Sequence, residues 1–248
     1  MNDDAIIVFA KNPTPGKVKT RLGSVLGLEA AADLYGALLI DTLLRCSQSD
    51  AALRLYLSPT TEPISTTVAP FDEKRLRQRG SSLGPRMKHA FEDTFDEGYG
   101  PIVIIGSDHP TLPLSIIEHA FTELRRPDTV VIGPSHDGGY YLLGLSEPSG
   151  VLFDDMTYSH PDVFVQTVAR ARSAGLSVAT LEPWYDVDTA QDVRHLAADL
   201  GGDETACPNT RQWLLEAGLM QNESVSEGGA SEKLYFESPP QMHERSHE

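Results

Sequence analysis

The strongest constraint on this chain is an alternation of short apolar runs with stretches of helical periodicity. Ala5 to Ala10 and Pro101 to Ile105 are unbroken apolar runs of strand length, the pattern of strands buried on both faces, and Thr129 to Gly133 reads as another strand. Ala52 to Leu57, Tyr140 to Leu145 and Ser177 to Leu181 add further strands. Between them, residues 28–46, Gly84 to Gly98, Pro113 to Leu124, Pro161 to Ala174 and Thr189 to Leu200 carry helical spacing. Met87, Ala90, Phe91 and Phe95, for example, fall on one face. Such alternation predicts an α/β domain with a mostly parallel central sheet. It fills residues 4–200 without a linker, and a closing helix over Asn209 to Leu219 gives one domain over 1–220. Residues 58–72, rich in Pro, Thr and Ser, are expected to be a loop or a poorly regular excursion. From residue 221 the chain turns to Ser, Glu, Gly, Pro and His and is expected to be a disordered tail, with Leu234-Tyr-Phe236 as its apolar foothold.

Charge excludes one class of partner. The 248 residues hold 36 acidic against 20 basic side chains, a formal net charge of -16. A nucleic-acid partner would demand a basic face, so none is expected. Two explanations of the acidity stay open, a high-salt cytoplasm and an ordinary acidic cytosolic enzyme. No apolar run approaches the roughly 20 residues of a membrane span. The first run is too short for a signal peptide and follows Asp3 and Asp4, so a cytoplasmic location is expected. Cys46 and Cys207 lack ligand spacing and are expected to be reduced thiols, with no zinc site.

Against that acidity the loop after the first strand stands out. It carries Lys11, Lys17, Lys19 and Arg21, no acid, and turn signals at Pro13, Pro15 and Gly16. A cationic loop at the carboxyl end of a first strand is where an α/β protein would hold phosphates. Neither G-x-x-x-x-G-K-[ST] nor G-x-G-x-x-G is present there. Asp108 lies just past the strand ending near Gly106, in a turn stiffened by Pro110. It suits a hard cation such as Mg²⁺, or equally an Asx-turn cap. Asp186 and Asp188 follow the last strand and precede the helix over Thr189 to Leu200, where Thr189 and Asp192 fit a capping box, and either could be a second metal ligand. Asp137-Gly138-Gly139-Tyr140 lets the backbone bend toward a ligand, or forms a plain hairpin turn. The segment from Gln78 to Arg86 runs a Gly-rich turn into a helix N-terminus, a place for an anion or a base.

Taken together these segments resemble the GT-A-fold, glycosyltransferase-like family associated with arsenosugar biosynthesis, within the nucleotide-diphospho-sugar transferase superfamily. The matching stretches are Phe9-Ala-Lys-x-Pro-x-Pro-Gly-x-Val-Lys-Thr-Arg-Leu22, Gln78-x-Gly with Leu83-Gly-x-Arg-Met87, and Ile105-Gly-Ser-Asp-x-Pro110. Gly133-Pro with Asp137-Gly-Gly-Tyr-Tyr-Leu-Leu-Gly-Leu145, and Asp186-Val-Asp-Thr-x-x-Asp192, complete the set in the family's order. The arrangement is also similar to nucleotidyltransferases such as the guanylyltransferase that activates 2-phospholactate, although Pro13 and Pro15 replace their Gly-rich first turn. The resemblance implies a single Rossmann-like GT-A domain acting on a small-molecule acceptor, with an NTP or a nucleotide-sugar as donor. Nucleotidyl transfer is the preferred subtype, glycosyl transfer the alternative, and a non-catalytic nucleotide-binding module a third. It implies Mg²⁺ or Mn²⁺ on Asp108 and Asp188, with Lys19, Arg21 and Asp108 as the catalytic residues. Lys11, Gly16, Lys17, Gln78, Gly84 and Arg86 would bind the nucleotide. Asp137, Gly138, Gly139 and Tyr140 would shape the acceptor side.

Overall fold

A computed structural model of the chain describes residues 3–203 and 205–221. The sequence-predicted tail lies, apart from residue 221, outside the described residues. The first strand, β1 (Ala5–Ala10), is followed by α1 (Thr20–Leu26), α2 (Leu28–Cys46) and β2 (Ala52–Leu57). A 3-10 segment (Thr66–Lys74) leads into β3 (Arg75–Arg77), then α3 (Leu83–Asp96), β4 (Ile102–Ile105) and α4 (Leu114–Leu124). Next come β5 (Thr129–Pro134), β6 (Tyr140–Leu145), α5 (Val163–Ser173), β7 (Ser177–Thr180), α6 (Ala190–Leu200) and α7 (Pro208–Glu216).

The strands form one seven-stranded sheet in the order β3-β2-β1-β4-β6-β5-β7. All neighbours are parallel except β6, which runs antiparallel to both β4 and β5. β1 explains why the runs are apolar throughout. Ile6, Val8 and Ala10 pack on one side with Tyr35, Leu39 and Leu43 of α2 and Ile117 and Phe121 of α4. Ala5 and Ile7 pack on the other with Met87, Ala90 and Phe91 of α3 and Ala171 of α5. Period-2 alternation thus feeds two cores, and each fully buried Ile or Val contributes roughly 1.5–3 kcal/mol before entropy is counted. A third cluster lies outside α2, where Leu34 and Leu38 meet Val193, Leu196 and Leu214 of α6 and α7. The buried Asp41 of α2 fixes α7 there, accepting from Asn209 N at 3.2 Å and Thr210 N at 2.6 Å.

Two segments depart from the sequence reading. The first loop ends early, because α1 begins at Thr20 and puts Arg21 on a helix. Residues 58–72 are not loop alone: the 3-10 segment begins at Thr66 and leads straight into the three-residue edge strand β3. Pro70 and the kink at Phe71 hide that helicity from a periodicity argument. Among the described residues no helix is long and apolar enough to cross a membrane.

Candidate active site

β1 pairs with β2 on one side and with β4 on the other, so the chain reverses its direction of travel across the sheet between β1 and β4. A crevice opens beyond the carboxyl ends of strands at such a point. Three loops meet in it. Lys19, with φ of 43°, is the residue before α1. Asp108 follows β4, and Asp188 precedes α6, its N–H donating to Asp192 Oδ2 at 3.0 Å. Thr189 and Asp192 form the expected capping box, which anchors that loop.

The amine of Lys19 lies between the two carboxylates, 2.6 Å from Asp108 Oδ2 and 2.7 Å from Asp188 Oδ1. Its side chain is only 4% exposed, whereas Asp188 is 45% exposed. Burial penalises the ammonium, but Asp108 and Asp188 outweigh it and hold the Lys19 amine above its ordinary value. Burial likewise opposes the Asp108 charge, yet Lys19 holds that carboxyl well below the usual carboxylate range. Lys19 is therefore not an uncompensated cation, as the loop's composition alone suggested. The two carboxylates are hard oxygen donors converging on one positive charge, so they fit a divalent cation such as Mg²⁺ or Mn²⁺ once Lys19 moves aside.

The other carboxylate oxygen of Asp108 faces a different group. Its Oδ1 is 3.6 Å from Nε2 of the buried His109, and Asp186 Oδ1 is 3.4 Å from the same nitrogen. His109 Nδ1 lies 3.2 Å from the carbonyl of Tyr185, and its ring meets Tyr141 edge-on. Burial pushes the Asp186 carboxyl up to about 6, with the nearby carboxylates adding to the shift and His109 opposing it.

Three adjoining cavities surround these groups. The first, about 480 Å³, runs from Lys11, Gln78 and Arg86 to Lys19, Asp108 and Asp188. The second, about 460 Å³, shares Tyr140 and Asp188 with it and is lined by Arg21, Asp137, Gly139 and Asp186. The third, about 430 Å³, shares Lys11 and Ser58 with the first and adds Lys17 and Arg77. Arg21 thus sits in a different cavity from Lys19, because α1 turns it away within two residues. Gly16 lines none of the three; its φ of 74° serves the turn. Gly84 is buried and lines none of the three, and a Cβ there would stand 2.8 Å from the Tyr158 ring. Gln78 lines the first cavity while its Nε2 donates to Ala10 O at 3.1 Å and Tyr56 O at 2.8 Å, leaving Oε1 as the free acceptor. Arg86 is steadied by donating to Gly80 O at 3.0 Å. The Asp137 segment has the hairpin form and also borders a cavity. It turns a β5–β6 hairpin, Asp137 Oδ1 accepting from Gly139 N at 2.9 Å and from Ser135 Oγ, and it lines the second cavity.

Comparison with known proteins places this arrangement in a family. A family model described as "Uncharacterized protein conserved in bacteria (DUF2064)" matches residues 41–160. A crystal structure from Desulfovibrio desulfuricans G20, provisionally assigned as a nucleotide-diphospho-sugar transferase, is 34% identical, with a TM-score of 0.79 over 88% of this chain and 96% of that one. The chain belongs to the DUF2064 family. Its fold is the Rossmann-like nucleotide-diphospho-sugar transferase fold. Two more distant structures share that fold. One is a CMP:2-keto-3-deoxy-manno-octonic acid synthetase complexed with CTP, 12% identical with a TM-score of 0.52 over 81% of this chain and 99% of that one. The other is a cytidylyltransferase from Leptospira borgpetersenii serovar Hardjo-bovis (strain JB197), 13% identical with a TM-score of 0.53 over 92% and 100%. A search of curated proteins returned no match.

Sequence reasoning missed three residues of this DUF2064 site. His109 sits beside Asp108 in the same turn, but a lone histidine carries no spacing signal. Tyr35, inside an apolar helix pattern, accepts from Lys11 N at 2.9 Å and pairs with Ser107 Oγ at 2.8 Å, tying the loops after β1 and β4 together. Arg77 reaches the third cavity from β3, a strand too short to leave a pattern.

Proposed function

We propose that this protein is a metal-dependent nucleotidyltransferase that joins an NTP to a small phosphorylated acceptor. One observation supports this subtype above the others: Lys11, Lys17 and Arg77 line one cavity that opens from the donor cavity. Among the described residues none of the three has an ion-pair partner. Three free cations beyond Lys19 suit a triphosphate tail, more charge than a nucleoside diphosphate requires.

In this reading Gln78 and Arg86 border the nucleoside, with the Gln78 carboxamide oxygen available to accept from the base. An acceptor phosphate oxygen attacks the α-phosphorus in line, and the bond to the β-phosphate oxygen breaks as pyrophosphate leaves. Lys11, Lys17 and Arg77 take up the charge that develops on pyrophosphate. Arg21, in the adjoining cavity with Asp137, Gly139 and Tyr140, holds the acceptor's anionic group. Asp108 and Asp188 would hold the cation, Mg²⁺ or Mn²⁺, which supplies charge neutralisation at the transferred phosphoryl group. Lys19, poised between those carboxylates, is then free to turn to the phosphates. No side-chain nucleophile is required, because positioning and charge stabilisation carry such transfers.

The alternative, glycosyl transfer from a nucleotide-sugar, is supported by what the Desulfovibrio relative has been named. Products separate the two. The protein is incubated with Mg²⁺, each NTP and a pool of phosphorylated metabolites, and pyrophosphate is assayed. A parallel reaction with UDP- and GDP-sugars is assayed for nucleoside diphosphate. Acceptor-dependent pyrophosphate is expected; sugar-dependent release of UDP or GDP with no pyrophosphate from any NTP would overturn the subtype.

A further inference from the structure

We propose that Asp108, His109 and Asp186 bind a divalent first-row transition-metal ion, and that the protein holds this ion in the absence of nucleotide. The position is distinct from the Asp108–Asp188 pair, because it uses the other oxygen of Asp108. Oδ2 of Asp108 and Oδ1 of Asp188 are committed to Lys19. Oδ1 of Asp108, Nε2 of His109 and Oδ1 of Asp186 form a separate group, each atom within 4.8 Å of the others.

The histidine decides the chemistry. Its Nδ1 faces a backbone carbonyl, that of Tyr185, which can only accept, so Nδ1 carries the hydrogen. The ring's other nitrogen, Nε2, is thereby aimed at two carboxylate oxygens. Such a second-shell carbonyl is what orients a metal-ligating histidine. The His109 side chain is 2% exposed, and among the described residues its Nε2 makes no hydrogen bond. A proton shared with either carboxylate would draw the pair to about 2.7–2.9 Å. The separations are instead 3.4 and 3.6 Å. Ligands at about 2.1 Å from a common tetrahedral metal ion stand roughly 3.4 Å apart. The gap is therefore the size of a metal's coordination edge and too wide for a hydrogen bond.

Charge agrees. Asp108, Asp186 and Asp188 bring three carboxylates to this corner, and Lys19 is in contact with two of them, Asp108 and Asp188. A mixed nitrogen and oxygen donor set favours first-row transition ions over Mg²⁺ or Ca²⁺, which prefer oxygen alone. Asp186 also lines the second cavity, so the ion's remaining positions would open toward the acceptor side.

The test needs no nucleotide and no turnover, so it stands apart from the nucleotidyltransferase reading. Mn²⁺ is titrated into the full-length protein, and pulsed electron paramagnetic resonance is recorded on natural-abundance and uniformly ¹⁵N-labelled samples. Saturable Mn²⁺ binding with a histidine-type nitrogen coupling that changes on ¹⁵N labelling is expected. Asp186→Asn should weaken Mn²⁺ binding at least tenfold, His109→Gln should abolish the nitrogen coupling, and Asp188→Asn should preserve it. Bound Mn²⁺ without nitrogen coupling in the wild-type protein, or no saturable binding without nucleotide, would overturn the site. The isotope comparison uses the unaltered protein, so it holds even if a variant fails to fold.

Discussion

Lys19 and Asp108 are 89 residues apart in the chain and 2.6 Å apart in the fold. Their contact joins the loop after β1 to the loop after β4, and Asp188 closes it from the far side of the sequence. Lys19→Met would leave two carboxylates facing each other. Removing one partner of a buried pair costs about 3–5 kcal/mol, but the exposure of Asp188 lets water take up part of the loss, so roughly 1–3 kcal/mol is expected. Triphosphate affinity should fall at least tenfold while nucleoside affinity holds. Urea unfolding and calorimetric titration measure both. Wild-type stability together with wild-type triphosphate affinity would show the contact to be idle.

Arg21 is separated from Lys19 by a single residue yet faces the second cavity. Arg21→Ala should therefore raise the KM of the phosphorylated acceptor about tenfold, the effect of one lost charge-assisted hydrogen bond. The KM of the NTP should change less than twofold. Equal increases in both would put the guanidinium on the donor instead.

The alternation that predicted an α/β sheet was legible because β1 and β4 are buried on both faces and so carry unbroken apolar runs. The turn that carries Asp108 and the capping box beside Asp186 and Asp188 were legible as well, because they are local signals, whereas only the family resemblance singled out Asp188. What stayed hidden is non-local. The pairing of Lys19 with two carboxylates depends on three loops meeting across the sheet, which composition of the first loop cannot reveal. The antiparallel β6 was legible only through its turn, because the Asp137-Gly138 hairpin signal joins it to β5 while its apolar run alone has the same pattern as a parallel strand. The close approach of Gly84 to Tyr158, 74 positions later, was hidden for the same reason as the Lys19 pairing, since no local motif announces it.

The two cysteines give a pH-dependent prediction. Cys46 and Cys207 are both free and buried. Burial pushes the Cys46 thiol up to about 12 and the Cys207 thiol up to about 11, the latter with help from Asp41. Ionisation is thus easier in the unfolded chain. Their contribution to stability is complete below about pH 9 and is lost as pH rises from there toward 12. A thiol-reactive chromophore should therefore leave the folded protein unmodified at pH 8 and label two sites in denaturant. Rapid labelling of the folded protein would contradict the burial of these thiols.

The tip of the β5–β6 hairpin offers the sharpest steric test. Gly138 has φ of 89°, a conformation that side chains disfavour, and its carbonyl accepts from Phe164 N at 2.9 Å, pinning the tip to the start of α5. A Cβ at this position would lie 2.0 Å from the carbonyl oxygen of Pro161, which is backbone and has no rotamer to escape into. Gly139 differs, because its Cβ would meet only the side chains of Asp137 and Ser135, at 3.1 and 3.2 Å. Gly138→Ala should lower stability by about 2–4 kcal/mol, the sum of left-handed strain and forced displacement of α5. Gly139→Ala should lower it by about 1 kcal/mol or less, yet still impair acceptor binding, since Gly139 lines the second cavity. Thermal melts of the two variants, with acceptor titrations on the second, separate these effects. A Gly138→Ala protein that melts with the wild type would mean the hairpin tip is not held against Pro161, and the acceptor cavity would lose the wall this packing gives it.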